Sequence, residues 1–562
     1  MFKSINKVGN QWLKVNRPIR SQFTSIRLNS TIPPPPKKKA GFFKTAKRLT
    51  YLSIFGSIGY IGYKVYMEKN PADQVKQSPI FESGQRKKTL VILGTGWGSI
   101  SFLKNLDTSL YNVVVVSPRN YFLFTPLLPS CPTGTVELRS IIEPVRSITR
   151  RSSGEVIYLE AEATDIDPVN NKLTIKQSTT VHSGHSGKDT SSSKSTIAGT
   201  EEITTSLNYD YLLIGVGAQP STFGIPGVAE HSTFLKEVSD SIKIRKNLMD
   251  IIEAANILPK GDAERKRLLS IVVCGGGPTG VEVAGELQDY IDQDLKKWMP
   301  EVASEIKVTL VEALPNVLNM FNKKLVDYTK EVFQATNIDL KTNTMVKQVT
   351  DKNVIAQVKS AKDGSTEMVD IPYGMLIWAT GNALRPIVRN LTSKIDEQKN
   401  ARRGLLVDDK FLVDGTSNIY ALGDCTFTKY APTAQVAFQE GVYLGEYFKK
   451  LHEIDTLNYQ LTNSKPSDNI NVERVSKKLS KLKEKLPTFK YNHQGSLAYI
   501  GSERAVAELA WGDWSNIQTG GALTFLFWRS AYVYMCLSVK NQILVCLDWA
   551  KVSLFGRDIS KE

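Results

Sequence analysis

The sequence predicts an α/β fold with two dinucleotide-binding units and an added C-terminal segment, on three observations. The run Ser270-Ile-Val-Val-Cys274 is an apolar, β-branched strand that enters Gly275-Gly-Gly277-Pro-Thr-Gly280 and then a helical stretch. Residues 89–93, Thr-Leu-Val-Ile-Leu, enter Gly94-Thr-Gly96-Trp-Gly98-Ser99 in the same order. Apolar strands ending on glycine recur at 209–217, 374–381 and 418–423, the last followed by Asp424. A strand, a glycine turn and a helix start, in that order, is the context in which backbone N–H groups can cradle a diphosphate.

Length and charge bound the rest. The 562 residues suffice for three or four units at ~100–200 residues each. The net charge of +15 is local, because residues 1–67 hold 13 Lys/Arg and no acid before Glu68, leaving 58 basic against 56 acidic residues, a balance of +2. That removes the basis for a nucleic-acid partner. Cysteines 131, 274, 425, 536 and 546 and the five histidines form no metal-ligand spacing, so neither a metal site nor a disulfide framework is predicted.

Residues 1–48 combine scattered Lys/Arg with Ser and a Pro33–Pro36, Lys37–Lys39 spacer, the composition of a mitochondrial presequence or, alternatively, of a basic tail. Residues 49–67 form a possible transmembrane segment, since the uncharged run 49–63 gives about 22 Å of helix against a ~30 Å hydrocarbon core. An interfacial or core helix is the alternative. If it spans, the positive charge before Leu49 keeps the N-terminus in the matrix.

The first unit, 85–225, carries Gly94, Gly96 and Gly98, with Ser99 where a third glycine is usual. Its next strand ends in Ser117-Pro-Arg119, where a ribose-binding acid is expected. The loop 121–129, Tyr-Phe-Leu-Phe-Thr-Pro-Leu-Leu-Pro, either walls a flat ring or is core, and 177–206 is a Ser/Thr/Gly insertion containing His182 and His185. The second unit, 226–370, carries Gly275, Gly277, Gly280 and then Glu312 at the end of another apolar strand. A carboxylate there accepts from a ribose 2'-OH and repels a 2'-phosphate, so NADH is expected over NADPH. The spacing to Glu312 is longer than usual, and the helix-prone run 289–306 supplies the extra length. Residues 371–450 return the chain to the first unit, with Thr380, Gly381 and Asp424. Asp424 is expected either to accept from polyol hydroxyls or to cap a helix. A polar insertion, 451–487, precedes the C-terminal domain, 488–562. Its two apolar helices are expected to lie in one leaflet, with Arg529 and Lys540 at headgroup level.

Gly94-Thr-Gly-Trp-Gly98, the 121–129 loop, Gly276-Gly-Pro-Thr-Gly-Val-Glu282, Ile377-Trp-Ala-Thr-Gly381 and Pro432-Thr-Ala-Gln435-Val-Ala resemble the fungal alternative (type II) NADH:ubiquinone oxidoreductases of mitochondria. The resemblance covers about residues 85–562 and implies two Rossmann-like domains of the two-dinucleotide-binding flavoprotein type. It implies FAD on Gly94, Gly96, Gly98 and Asp424, and NADH on Gly275, Gly277, Gly280 and Glu312, with Ser117, Arg119, Thr380 and Gly381 in the cofactor sites. It further implies ubiquinone beside Ala434, Gln435 and Tyr532, and a place at the mitochondrial inner membrane facing the intermembrane space. Phe438 departs from a polar residue sometimes found after Gln-Val-Ala. Oligomeric state, including a homodimer, is left open.

The expected activity is NADH oxidation with two-electron quinone reduction and no proton pumping, with Glu282 and Gln435 as catalytic candidates. Glu282 is read either as a nicotinamide-side or proton-relay carboxylate or as a first-turn acid compensating the helix dipole. A matrix-facing enzyme and a death-signalling flavoprotein are the alternatives. Residues 99–110 hold no cysteine, which argues against a disulfide reductase.

Overall fold

The computed structural model describes residue 56 and residues 59–177, 203–360, 364–463, 472–511 and 514–560. The expected presequence and much of the 49–67 segment lie outside the described residues. So do His182, His185 and most of their tract, and the middle of the polar insertion. No described helix is long and apolar enough to cross a membrane. The chain divides into two units, 1–62 and 63–562, and all that follows concerns the second.

The first glycine turn belongs to a seven-stranded sheet in the order Ile419–Ala421, Tyr211–Ile214, Thr89–Leu93, Asn112–Ser117, Val156–Asp167, Lys172–Gln177, Thr204–Asn208. Its first five strands are parallel and the last two antiparallel. Leu90 to Leu93 have no exposed surface, as befits a strand covered on both faces. The second turn belongs to a five-stranded parallel sheet, Thr233–Phe234, Met375–Trp378, Ser270–Cys274, Lys307–Val311, Asp339–Lys341.

Two assignments made from sequence are corrected. Met375–Trp378, placed with the return to the first unit, pairs instead with Ser270–Cys274 in the second sheet. Four buried apolar residues specify a central strand but carry no information about which sheet receives it. The return therefore begins near Asn382–Leu384, which pairs with Ala218–Pro220. The helix Ala434–Asn463 also runs through the expected boundary at 450/451.

That helix lies along Trp97–Asn105 at backbone distance. A Cβ on Gly441 would stand 2.4 Å from the Gly98 carbonyl oxygen, and one on Gly445 would stand 2.7 Å from the Asn105 Cβ. The helix after the second turn, Pro278–Tyr290, continues through a π-turn, Ile291–Leu295, and two short helices, Lys296–Trp298 and Pro300–Ala303. This accounts for the long spacing to Glu312.

The C-terminal domain is an antiparallel sheet, Ser496–Tyr499, Ala505–Trp511, Trp514–Gly521, followed by helices Ala522–Met535 and Val539–Phe555. It packs on Pro278–Tyr290, where a Cβ on Gly285 would meet the Gly501 nitrogen at 2.7 Å. Phe525, Trp528, Tyr532 and Val545 join the main core, while Leu523, Tyr534, Leu554 and Phe555 are 75% or more exposed. Arg529 and Lys540, expected at headgroup level, both have protein partners. Arg529 stacks on Phe525 and Trp549 at 4.4 and 4.9 Å, and Lys540 pairs with Glu143 at 2.9 Å. A cation beside buried surface is costly unless it is stacked or paired.

Gly441→Ala forces its methyl against the Gly98 backbone, which cannot swing aside like a side chain. A loss of about 1–3 kcal/mol is expected, read as a lower unfolding temperature than that of the unaltered protein.

Candidate active site

A cavity of about 980 Å³ opens at the C-terminal ends of the first sheet, where open α/β sheets hold their ligands. Gly94, Gly96 and Gly98 line one part of it, Ser117 and Arg119 another, and Asp424 and Ala434 a third. Whether a dinucleotide fits is decided at the middle glycine of each turn. A Cβ on Gly96 or on Gly277 would meet nothing within 4 Å, so each presents bare backbone to open space. At Gly280, by contrast, a Cβ would stand 1.9 Å from the Gly275 carbonyl oxygen, which is the close helix packing expected of the third position. Ser99 replaces that third glycine by a different device. It is 1% exposed and its hydroxyl lies 3.3 Å from both the Leu93 and Gly215 carbonyls, with Gly215 bare to admit it.

Ser117 and Arg119 reach the cavity wall, but both are engaged. The Ser117 Oγ accepts from the Arg119 N–H at 3.1 Å and lies 3.1 Å from the Thr95 hydroxyl. The Arg119 guanidinium pairs with Glu237 at 2.7 Å, and Arg385 approaches the same carboxylate at 3.5 Å. Asp424 sits in the turn Gly423–Cys425, and the helix that follows starts at Ala434, so it caps no neighbouring helix. Burial pushes its carboxyl up, opposed by Lys236 at 4.0 Å. It is therefore a half-buried acceptor facing the cavity.

At the second turn, Gly275 is left-handed with φ +118°, and Ala379 and Thr380 close on it, the Thr380 Cβ lying 2.9 Å from where a Gly275 side chain would begin. Gly381 is also left-handed, φ +81°. Glu312 accepts from the Gly276 N–H at 2.5 Å with one oxygen and from the Leu314 N–H at 2.7 Å with the other. The carboxylate is thus fixed beside the turn before any ligand arrives. Thr279, the second residue of the helix that follows, lines the first cavity, so the two dinucleotide sites meet there.

Glu282, one turn into that helix, is 5% exposed. It accepts from the Tyr499 N–H at 3.2 Å, and burial pushes its carboxyl up to about 8. A dipole-compensating acid would sit ionised at the helix surface, whereas this one is buried and protonated at neutral pH. Tyr532, buried against Trp528 at 4.6 Å and Phe124 at 6.2 Å, is its neighbour. Phe124 belongs to the 121–129 loop, whose Thr125, Leu128 and Pro129 line the cavity.

Gln435 is held by the segment 491–495. Its amide oxygen accepts from the Tyr491 hydroxyl and from the Gln494 N–H at 3.1 Å, and its nitrogen donates to the Gly495 carbonyl at 3.4 Å. The side chain holds the 491–495 loop, and it is the adjacent Ala434 that lines the cavity.

Lys236, Glu237 and Glu440 escaped the sequence reading. Glu440, 1% exposed, accepts from the Gly423 N–H at 2.7 Å, and burial raises it to about 7. The available signal was an acid on the buried face of a helix, among Val436, Ala437 and Leu444.

The raised Glu282 has a signed consequence for stability. Its folded value exceeds the ordinary carboxylate value, so its contribution is full below about pH 4.5 and is lost as pH rises towards about 8. Glu282→Gln removes that loss. The variant should gain stability relative to the parent between pH 5 and pH 9, measured by denaturant unfolding at both, and a constant difference would place Glu282 in water.

Known proteins place these features. Residues 88–441 match the family model of pyridine nucleotide-disulphide oxidoreductases, and 493–558 match the NDH2 C-terminal domain. The external alternative NADH-ubiquinone oxidoreductase of Yarrowia lipolytica mitochondria is 53% identical over 542 residues, 94% of this chain and 89% of that one. The external NADH-ubiquinone oxidoreductase 2 of Saccharomyces cerevisiae mitochondria is 51% identical over 93% of this chain and 91% of its own. The structure of Plasmodium falciparum NDH2 in complex with NADH superposes with a TM-score of 0.70 at 29% identity, over 85% of this chain and 100% of that one. The chain belongs to the alternative, type II NADH-ubiquinone oxidoreductases, a branch of the pyridine nucleotide-disulphide oxidoreductases that works with FAD and NADH.

Proposed function

We propose that this protein oxidises NADH from the cytosolic side of the mitochondrial inner membrane and reduces ubiquinone without moving protons across it. The observation that carries the reading is Thr279, which begins the NADH-side helix and also lines the FAD cavity. Bound FAD supplies the redox chemistry, taking a hydride equivalent from NADH and giving two electrons to the quinone. The chain supplies placement and protons. Gly94, Gly96 and Gly98 hold the FAD diphosphate, Ser117 and Arg119 stand where its ribose would lie, and Asp424 accepts from its polyol. Gly275, Gly277 and Gly280 with Thr380 and Gly381 hold NADH.

The quinone approaches along the 121–129 loop and Tyr532, next to Ala434, with Gln435 positioning the 491–495 loop beside them. Glu282, protonated at neutral pH, stands by to deliver a proton. The exposed Leu523, Tyr534, Leu554 and Phe555 give the C-terminal helices an apolar surface for one leaflet. The chain enters the body beside that domain, because the Val539 N–H donates to Glu68 at 3.0 Å. With the presequence drawn into the matrix, the body stays outside.

Glu312 sets the nucleotide. A 2'-phosphate would face a carboxylate already held by two backbone N–H groups and unable to turn away. Glu312→Gln keeps one acceptor and removes the charge. It should raise kcat/KM for NADPH about tenfold relative to NADH, or ~1.4 kcal/mol, chiefly through KM. An unchanged ratio would move the carboxylate away from the ribose.

Sidedness is tested in intact mitochondria, whose inner membrane excludes NADH. Added NADH should drive oxygen uptake that requires this protein and resists complex I inhibitors. Dependence appearing only after the inner membrane is opened would assign the enzyme to the matrix face.

A further inference from the structure

A second cavity, of about 350 Å³, lies between the helix Pro278–Tyr290, its extension and the C-terminal domain. It is far larger than the ~10–15 Å³ a water needs, and its lining is mostly polar. Gln293, Lys297 and Glu503 at its edge are exposed to solvent, and Glu286 and Trp528 at its inner wall are 3% and 2% exposed. The buried Trp528 indole N–H makes no close hydrogen bond but interacts with the Glu282 carboxyl and favours its charged form. A polar cavity of this size suits water, and Trp528 brings its wall beside Glu282.

One helix joins this cavity to the FAD cavity. Thr279 lines the first, Glu286 lines the second, and Glu282 lies between them. At 1.5 Å per residue the two ends are about 10 Å apart. Glu282 and Glu286, four residues apart, share a face. The reaction needs such a link. NADH, quinone and one H⁺ give NAD⁺ and quinol, so NADH brings two electrons and one hydrogen and the second hydrogen must come from solvent. Resting on the quinone-reductase reading, we propose that this cavity and Glu286 carry that proton from bulk water to Glu282.

The groups around Glu286 are balanced in charge. Its Oε2 accepts from Thr135 at 2.5 Å and Thr133 at 3.3 Å, and Arg557 stands 3.7 Å away. Arg529 from the helix Ala522–Met535 and Lys297 from the extension add positive charge. Asp289 on the same helix, which bonds the Tyr499 hydroxyl, and Asp294 and Glu503 add negative charge. Glu282 faces Tyr499 and Tyr532. Neither sign dominates, so the cavity suits water and protons rather than a bound ion.

The test compares quinone with ferricyanide as acceptor, since ferricyanide takes electrons and no proton. Unaltered enzyme is measured first, and failure to reduce any quinone would overturn the proposed function itself. Glu286→Gln should lower the ratio of quinone to ferricyanide turnover about ten- to a hundredfold and raise the solvent deuterium isotope effect on quinone reduction. Lys297→Trp, which crowds the mouth without touching either carboxylate, should lower the same ratio while ferricyanide turnover is kept. The infrared band of protonated Glu282, assigned by its loss in Glu282→Gln, should exchange with D₂O more slowly in both variants. An active enzyme whose ratio, isotope effect and exchange are unmoved in Lys297→Trp and in Glu286→Gln would overturn the path.

Discussion

The structure is organised around the burial of one helix. Every residue from Gly280 to Tyr290 is buried, including Glu282, Glu286 and Asp289. A helix that presents its first N–H groups to a dinucleotide has to leave that end open, while three buried acids along its length need partners. The C-terminal domain supplies most of them. Tyr499 donates to Glu282 and Asp289, the Ser502 N–H donates to Asp289 at 2.8 Å, and Arg557 approaches Glu286. Arg557 is itself held by Asp294 and by Thr135. Removing that domain would expose or strand these carboxyls, so the C-terminal domain is a structural lid on the NADH-side helix.

The features legible in the sequence were those that constrain backbone. A turn that must be left-handed at Gly275 and bare at Gly277 can hardly be written otherwise, and the strand before it must be apolar because both faces are covered. Glu312 was legible for the same reason, as it follows the strand that sits beside the turn. Features that depend on which distant side chain arrives were not legible. Met375–Trp378 reads as a central strand of either sheet. Nothing in the sequence pairs Arg119 with Glu237, 2.7 Å away, or sets Gln435 on the 491–495 loop. Lys236, Glu237 and Glu440 acquire meaning only through partners more than ten residues distant.

The third position of the first turn shows how much latitude packing allows. Glycine is favoured there because helix and strand touch, yet Ser99 is accommodated because Gly215 on the neighbouring strand end has no side chain, and the hydroxyl bonds two strand-end carbonyls. The steric demand has moved from one glycine to another. A motif scan that scores only the turn sees a departure, whereas the folded sheet shows the same close approach.

On the proposed reading, the C-terminal domain also separates two kinds of traffic. Its exposed leucines and aromatics face outward, where an apolar substrate can arrive from lipid, and its inner face borders a polar cavity reached past Lys297 and Glu503. Quinone and proton have opposite solvation requirements and cannot share an entrance without stranding one of them. Glu282 lies between Tyr532, on the side of the 121–129 loop, and Trp528, on the side of the cavity. A carboxyl kept neutral by burial is suited to that position, because once it has given a proton towards the quinone its carboxylate is disfavoured and is driven to regain one from water.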